Sequence, residues 1–365
     1  MVKIVHMSSG HEALDHRIFY KEARYTHGND FEVAVIANHK RVESVSGIKI
    51  VPIPKRSRAG RMLLSPWSIL RKALREQADI YHFHDPELIP VGLALRAFGK
   101  VVIYDIHEIV AQQIALRAWI PPILRKPVSV VFDKFERFAI RRFDGISVPQ
   151  TYMRDRYQPD ARRVALTRNF VSVTEVSEPG PLTRRPHLLY AGTMSVERGL
   201  LNMVRAMPYV LDGHRLLLAG QIAPALLAAA QREPGWGSVD YLSRLPFVEL
   251  PAVYAQASIG LILYENLGQY HLAHAVKLFE FLVHGMPVIM PNFGEWPAFN
   301  EEHEVGINVD TSNPRAVGEA VNRLVQDTSL AERLGRNGRR LVVGQFSWEQ
   351  EVRNLHQLYK DVMAC

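Results

Sequence analysis

The sequence predicts an α/β protein of two domains, each a mainly parallel sheet with helices on both faces. Three observations carry that expectation. Short apolar runs of strand length alternate with helical segments along the whole chain. A stretch rich in Pro and polar residues, 171–186, interrupts the alternation near the middle. The 365 residues, 47% of them apolar, suffice for two cores of ordinary size.

In the first half, strands are expected over residues 3–7, 31–36, 49–53, 80–83, 101–104, 146–148 and 164–167, with the first helix from about Arg17. The second series places strands at 187–190, 215–219, 239–242, 259–263 and 288–290, and closing helices at 314–326, 331–342 and 347–363. The expected organisation is a first domain over 1–170, a linker over 171–186, a second domain over 187–345 and a terminal helix over 346–365. Two such domains would face each other across a cleft, the default place for a ligand.

The formal net charge of +7 is unevenly spread. Residues 1–170 hold 28 of the 44 Lys and Arg but 17 of the 37 Asp and Glu, a net +11, whereas residues 171–365 carry −4. A basic first half suits an anionic partner such as an anionic membrane surface or a phosphorylated acceptor. Residues 55–75 and 117–142 interleave cationic and apolar residues, and the second segment holds more apolar side chains than one buried helix face needs. Peripheral membrane contact and internal helices with solvated Arg residues both fit. Nucleic-acid binding fits poorly, because the basic-aromatic interleaving of the usual modules is missing. The lone Cys365 excludes a disulfide framework or cysteine metal site within the chain. A start directly in a strand, with no leader-like segment and no run of 18 apolar residues, leads to the expectation of a cytoplasmic protein.

The run from Ala275 to Gly285 is the most informative segment. It follows an expected strand and a polar stretch, shows apolar residues at helical spacing, and ends in Gly285 as a C-cap. Its first amides, at Val276 and Lys277, and its positive dipole end suit a diphosphate, and Glu280 one turn later suits the two hydroxyls of a ribose. A plain core helix with Lys277 and Glu280 on its wet face has the same spacing. Gly192-Thr193 to Arg198-Gly199 is a second phosphate-loop candidate, with Gly192 for close approach, Thr193 as a hydroxyl donor and Arg198 as a charged fork; an ordinary strand-helix turn reads the same way. Ser9 and Gly10 follow the first strand where small residues admit a ligand. Asp15 reads equally as a helix N-cap. The groups Tyr81 to Glu87 and Tyr104 to Glu108 end neighbouring strands, and His107 is the choice for bonding a sugar hydroxyl. No metal is expected, since residues alternating along a strand point to opposite faces.

These motifs resemble the retaining glycosyltransferases of the GT-B fold, family 4 type, which build bacterial polysaccharides and glycolipids. The resemblance rests on Ser8-Ser9-Gly10 with Asp15-His16-Arg17-Ile18, on His84-Asp85-Pro86-Glu87, Asp105-Ile106-His107-Glu108, Gly192 to Gly199, Lys277 to Ile289 and Phe346-Ser347-Trp348. It implies two Rossmann-like domains and a terminal helix crossing back to the first. It further implies that Thr193, Arg198 and Lys277 hold the donor diphosphate, that Glu280 holds the ribose, that Leu245 and Pro246 flank the base, and that His107 sits beside the sugar. Catalysis would rest on His107, Arg198 and Lys277, and donor binding would extend to Ser9, Gly10, Gly192 and Val276. Leu272 stands where such proteins carry a first Glu of a Glu-x7-Glu pair, so Glu265, Gln269 or His271 are the candidates for the sugar. Asp15, His84, Asp85 and Glu87 are the candidates on the acceptor side.

The resulting expectation is a hexosyltransferase that moves a sugar, with retention, from a nucleoside-diphosphate sugar to an acceptor hydroxyl. UDP-sugars are favoured, with GDP- and dTDP-sugars as alternatives, and no cofactor is expected. The acceptor is read as a lipid-linked saccharide of exopolysaccharide, capsule or lipopolysaccharide synthesis, reached by peripheral contact with the inner membrane face. A soluble small-molecule acceptor and a nucleotide-sugar 2-epimerase of the same fold are the alternatives.

Overall fold

The computed structural model of the chain describes residues 1–28, 30–116, 120–174, 176, 187–246, 249–271 and 275–364, without the side chains of residues 115, 116, 268 and 269. The chain divides into two compact units, Met1–Asn169 with Trp348–Cys365, and Phe170–Ser347.

The first unit contains strands β1 (Val2–Glu12), β2 (Phe31–Asn38), β3 (Glu43–Val45), β4 (Ile48–Ile53), β5 (Ile80–Phe83), β6 (Val101–Asp105), β7 (Gly145–Val148) and β8 (Val164–Leu166). They form one sheet in the order β3-β4-β2-β1-β5-β6-β7-β8. Every pairing is parallel except β3 with β4. The short β3 has no apolar run to announce it. Parallel strands covered on both faces read as unbroken apolar runs, which is why the others were visible.

Alternate residues of a strand serve opposite faces. Val5, Met7, Tyr81, Phe83 and Tyr104 pack into the core on one side of the sheet, and Ile4, Val33, Val35, Ile80 and Ile103 into the core on the other. His6 pairs in register with His82, and Ile4 with Ile80, so both histidines share this second face. The closing helix Trp348–Met363 covers it with Leu355, Leu358 and Tyr359. Polar contacts help to hold that helix: Trp348 Nε1 donates to the carbonyl of Lys21 at 3.2 Å, Arg168 donates to Glu351 from its backbone and guanidinium at 2.8 and 3.1 Å, and the Tyr359 hydroxyl lies 2.8 Å from His82 Nδ1.

The second unit contains β9 (His187–Ala191), β10 (Leu216–Ala219), β11 (Val239–Ser243), β12 (Ala257–Leu261), β13 (Val288–Pro291) and β14 (Gly306–Val309). Its sheet runs β11-β10-β9-β12-β13-β14, parallel throughout. The short β14 went unannounced for the same reason as β3. The helix Val276–Val283 ends as expected at Gly285, whose φ of +69° suits only glycine well. The Met286 N–H donates to the Phe281 carbonyl at 3.1 Å and the Gly285 N–H to that of Leu282 at 2.9 Å. Phe170 and Val171 pack into this unit's core, and Val171 bridges Ser347, so the second unit begins ahead of the expected linker. Residues 177–186 lie outside the described residues.

Leu355 is fully buried between the closing helix and the sheet. Leu355→Ala is expected to destabilise the first unit by about 2–5 kcal/mol, read as a lower denaturation midpoint by tryptophan fluorescence. An unchanged midpoint would mean that this helix adds nothing to the unit.

Candidate active site

The chemistry-bearing side chains of each unit gather at the carboxyl ends of its parallel strands, where open α/β sheets bind ligands. In the first unit β1 is longer than expected. It continues to Glu12, but its pairing with β2 is interrupted between Met7 and Glu12. The carboxylate of Asp85, just beyond β5, takes the freed groups. Its Oδ2 accepts from the Ser8 hydroxyl at 2.7 Å, the Ser9 N–H at 2.7 Å and the Gly10 N–H at 3.0 Å, and its Oδ1 lies 3.3 Å from His11 Nδ1. Burial pushes the Asp85 carboxyl up, but His11, Ser8 and Gly10 outweigh it and hold it below the usual carboxylate range.

A second carboxylate, Asp105 at the end of β6, is fully buried and lies at the centre of a wider network. Its Oδ2 lies 2.6 Å from His107 Nε2 and 3.1 Å from His84 Nδ1. Arg17, from the helix His16–Ala23, donates to it at 3.2 and 3.1 Å. His84 Nε2 in turn lies 2.9 Å from His6 Nδ1. Burial would raise Asp105, yet Arg17 and His107 hold it well below its ordinary value. Burial lowers His6, His82 and His84, which favours the neutral form of each ring, although the hydrogen bond to Asp105 opposes it at His84.

His6, Glu22, His82 and His84 bring one ligand atom each to within 4.8 Å of one another, contrary to the expectation that few would converge. The physical reason is register. His82 and His84 are two residues apart and share a face, and His6 is the direct partner of His82. The cluster already carries its own cation, since Arg17 Nε lies 2.9 Å from Glu22 Oε1, although without the alignment of a hydrogen bond. Burial and then the neighbouring Asp105 push the Glu22 carboxyl well up.

Several of the expected site residues already have partners in this arrangement. Ser9 and Gly10, expected to meet a donor, spend their N–H groups on Asp85, and Arg61 lies across Gly10. His84, expected at an acceptor, has a fully buried side chain that lies 3.1 Å from Asp105. Asp15 caps its helix, accepting from the N–H groups of Arg17 and Ile18 at 2.8 and 3.0 Å. Glu87 pairs with Arg61 at 2.6 Å and accepts from the Ser9 hydroxyl at 2.8 Å. His107 remains partly exposed, beside His11 at 5.7 Å between ring centroids.

In the second unit Gly192 follows β9 with a φ of +142°. A Cβ there would meet Lys277 Cε at 3.2 Å, so the missing side chain lets the lysine stem cross the turn. Arg198 donates to the Thr193 carbonyl at 3.0 Å and lies among Tyr190, Tyr264 and Tyr270. Both cations therefore border one glycine turn. Gly199, at φ +74°, brings this loop against the backbone of Leu263, where any Cβ would collide with the carbonyl oxygen. Ala275 offers no capping oxygen, which leaves the first amides of the helix Val276–Val283 without a side-chain cap. Glu280 Oε2 accepts from the Tyr254 hydroxyl at 2.5 Å and from Lys277 Nζ.

Leu245 and Pro246 follow β11, and Ser243 adopts a φ of +54°. Its carbonyl accepts from the Gly220 N–H at 2.7 Å. The Glu265 N–H donates to the Glu197 carbonyl at 2.9 Å, and the His271 ring lies 5.1 Å from Phe293. Leu272 and the side chain of Gln269 lie outside the described residues. Sequence reading missed His11, Arg17 and Tyr254. The first two sat in view within the Ser8–Ile18 motif, whereas Tyr254 reads as one more apolar helix residue.

Residues 16–175 match the family described as Glycosyltransferase Family 4, and residues 185–327 match Glycosyl transferases group 1. The chain belongs to the family 4 glycosyltransferases of the GT-B fold. As a hexosyltransferase it has distant curated relatives. It is 22% identical over 295 residues to a glycogen synthase of Mycobacterium tuberculosis, across 77% of this chain and 68% of the relative. It is 26% identical over 204 residues to a GDP-mannose-dependent alpha-(1-6)-phosphatidylinositol monomannoside mannosyltransferase of the same organism, across 53% of this chain and 50% of the relative. Among solved structures, a sucrose-phosphate synthase from Thermosynechococcus elongatus superposes with a TM-score of 0.73 at 19% identity, covering 100% of both chains. Anabaena HepE in complex with UDP-glucose gives 0.69 at 12% identity, again over 100% of both. These likenesses establish the shared fold of the glycosyltransferase.

Proposed function

We propose that this glycosyltransferase moves a hexose from a nucleoside-diphosphate sugar to a hydroxyl of a lipid-linked saccharide, with retention at the anomeric carbon. The observation that carries the donor half is the glycine turn at Gly192, bordered by both Lys277 and Arg198, with Glu280 held one helical turn beyond Lys277 by Tyr254. Two cations and uncapped helix amides suit a diphosphate, and a carboxylate fixed by a neighbouring phenol suits a ribose diol. Leu245 and Pro246 are assigned to the base. Glu265, Gln269 and His271 remain the candidates for the sugar. UDP is the favoured nucleotide, in keeping with the UDP-glucose named with HepE.

In the proposed reaction the bond from the anomeric carbon to the diphosphate oxygen breaks, and its electron pair leaves with the phosphate. Arg198, Lys277 and the amides of Val276 and Lys277 stabilise that charge where it develops. The acceptor oxygen forms the new bond from the same face, and its proton passes to the departing phosphate oxygen. The reaction as drawn needs no protein nucleophile. His107 lies on the first unit, which we assign to the saccharide.

A membrane-bound acceptor is supported by the surface of the first unit. On the helix Pro122–Ile140, Ile123 is 83% and Val131 67% exposed, with Leu124, Val128, Val130, Phe135 and Phe138 exposed nearby. Arg125, Lys126 and Lys134 lie on the same helix. Trp67 is 75% exposed in the helix Ser65–Glu76, just after exposed Met62, Leu63 and Leu64. Apolar side chains among cations suit an anionic lipid surface. Among the described residues no helix is long and apolar enough to cross a membrane, so contact would be peripheral.

Arg198→Ala and Glu280→Ala are each expected to weaken UDP binding about tenfold or more in isothermal titration; wild-type affinity in both would refute the donor assignment. The protein is also expected to sediment with phosphatidylglycerol vesicles but not with phosphatidylcholine vesicles, and Ile123→Asp with Val131→Asp should abolish this. Equal sedimentation with both lipids, or none, would remove the support for a membrane acceptor.

A further inference from the structure

We propose that His11 and His107 form a two-imidazole clip for the hydroxyl groups of a hexose, His107 accepting a hydrogen bond from one hydroxyl and His11 donating one to a neighbouring oxygen. This rests on the reading of the chain as a glycosyltransferase with its saccharide on the first unit. It adds His11 as a binding residue, with Asp85 and Asp105 as the residues that position the two rings.

The placement of each proton follows from the partners. The Ser8 hydroxyl has one hydrogen, and it goes to Asp85 Oδ2 at 2.7 Å. The Ser8 oxygen can then only accept from His11 Nδ1, 3.1 Å away, so that nitrogen carries a hydrogen. Asp85 Oδ1, 3.3 Å from the same nitrogen, requires it too. On the other ring, His107 Nε2 lies 2.6 Å from Asp105 Oδ2. An ionised carboxylate has no hydrogen to give, so Nε2 carries it, and Nδ1 keeps a lone pair whenever the ring is in its neutral form. Arg17, bonded to Asp105, holds that carboxylate in its ionised form.

The two rings lie 5.7 Å apart and are tilted by 54°. They stand at the carboxyl ends of β1 and β6, and their side chains are 36% and 25% exposed, unlike the buried His6, His82 and His84 behind them. Each has one nitrogen committed to a carboxylate and the other left for a ligand. When His11 is protonated its Nε2 donates, opposite in sense to His107 Nδ1. A donor beside an acceptor matches neighbouring sugar hydroxyls, which can both give and take hydrogen bonds. Two phosphate oxygens, which only accept, would leave Nδ1 of His107 unpaired.

The hydrogen bond to Asp85 raises the His11 pKa, and the charges of Asp85 and Asp15 add to it, while burial and Arg61 oppose. Ser8 and His107 complete the groups that face the ring. Because the group is raised, its donor form persists to a higher pH than for a free histidine and is lost as pH rises through the folded value. The hydrogen on Nδ1 stays with Asp85, so the Nε2 hydrogen is the one that leaves, and His11 turns from donor to acceptor.

The oxygens could belong to the donor sugar or to the saccharide acceptor, and steady-state kinetics against each substrate separates them. His11→Ala is expected to raise KM about tenfold for whichever substrate the clip holds, with UDP affinity unchanged in titration. His11→Gln, whose amide donates at every pH, should restore most of the affinity and remove the rise in KM at alkaline pH. Unchanged KM for both substrates in His11→Ala, or a His11→Gln enzyme that keeps the alkaline rise, overturns the clip. Nitrogen-15 NMR of the wild-type protein reads the rings without turnover: neutral His11 with its hydrogen on Nδ1 and His107 with its hydrogen on Nε2 are expected, and the opposite tautomer on either ring refutes the proposal. Loss of nucleotide-sugar turnover altogether, with these tautomers present, would instead count against the proposed function.

Discussion

Parallel strand pairing is the constraint on which the rest of this protein depends. Crossovers between parallel strands return the chain to the same starting edge, so all the strand-to-helix loops of a unit collect at the opposite, carboxyl edge. In the first unit that edge gathers His11, Asp85 and His107 from β1, β5 and β6. In the second it gathers the Gly192 turn, Ser243 and the Leu263 to Glu265 segment from β9, β11 and β12. Residues far apart in sequence thereby meet without any special local signal.

Burial of charge is the second organising cost. The first unit removes Asp105, Glu22 and Arg17 from solvent together; the guanidinium holds Asp105 well below its ordinary value, while burial and Asp105 push Glu22 up. Behind them, a hydrogen bond carries the network from His84 to His6, and His82, whose ring packs against both, separately meets the Tyr359 hydroxyl of the closing helix. Such a network ties the terminal helix to the sheet that carries the candidate site. It also sets which ring nitrogens remain for a ligand, a property that no single side chain possesses alone.

Most of the fold was legible in the sequence because buried parallel strands leave continuous apolar runs, as in Leu216–Ala219 and Val288–Pro291. The exceptions have physical causes. Glu43–Val45 is a partly exposed edge strand and Gly306–Val309 is only partly apolar, so neither pattern stood out. The Lys277 to Gly285 segment announced itself through its cap and spacing, and the glycine conformations at 192, 199 and 285 match what those positions demand. Less of the candidate site could be read. Asp85 and the Ser9 and Gly10 amides satisfy one another across 75 residues of chain, and that pairing is a product of sheet register. The convergence of His6 with His82 and His84 is likewise invisible until β1 and β5 are aligned.

The central claim is that the strand-end loops of the second unit hold a nucleoside diphosphate. A crystal structure of the full chain grown with UDP tests it most directly. The account predicts the diphosphate within hydrogen-bonding distance of Arg198 and of Lys277 or the first amides of its helix, with both ribose hydroxyls on Glu280. Nucleotide bound at any other place on the chain, with Glu280 still paired to Tyr254 and Lys277, would contradict it.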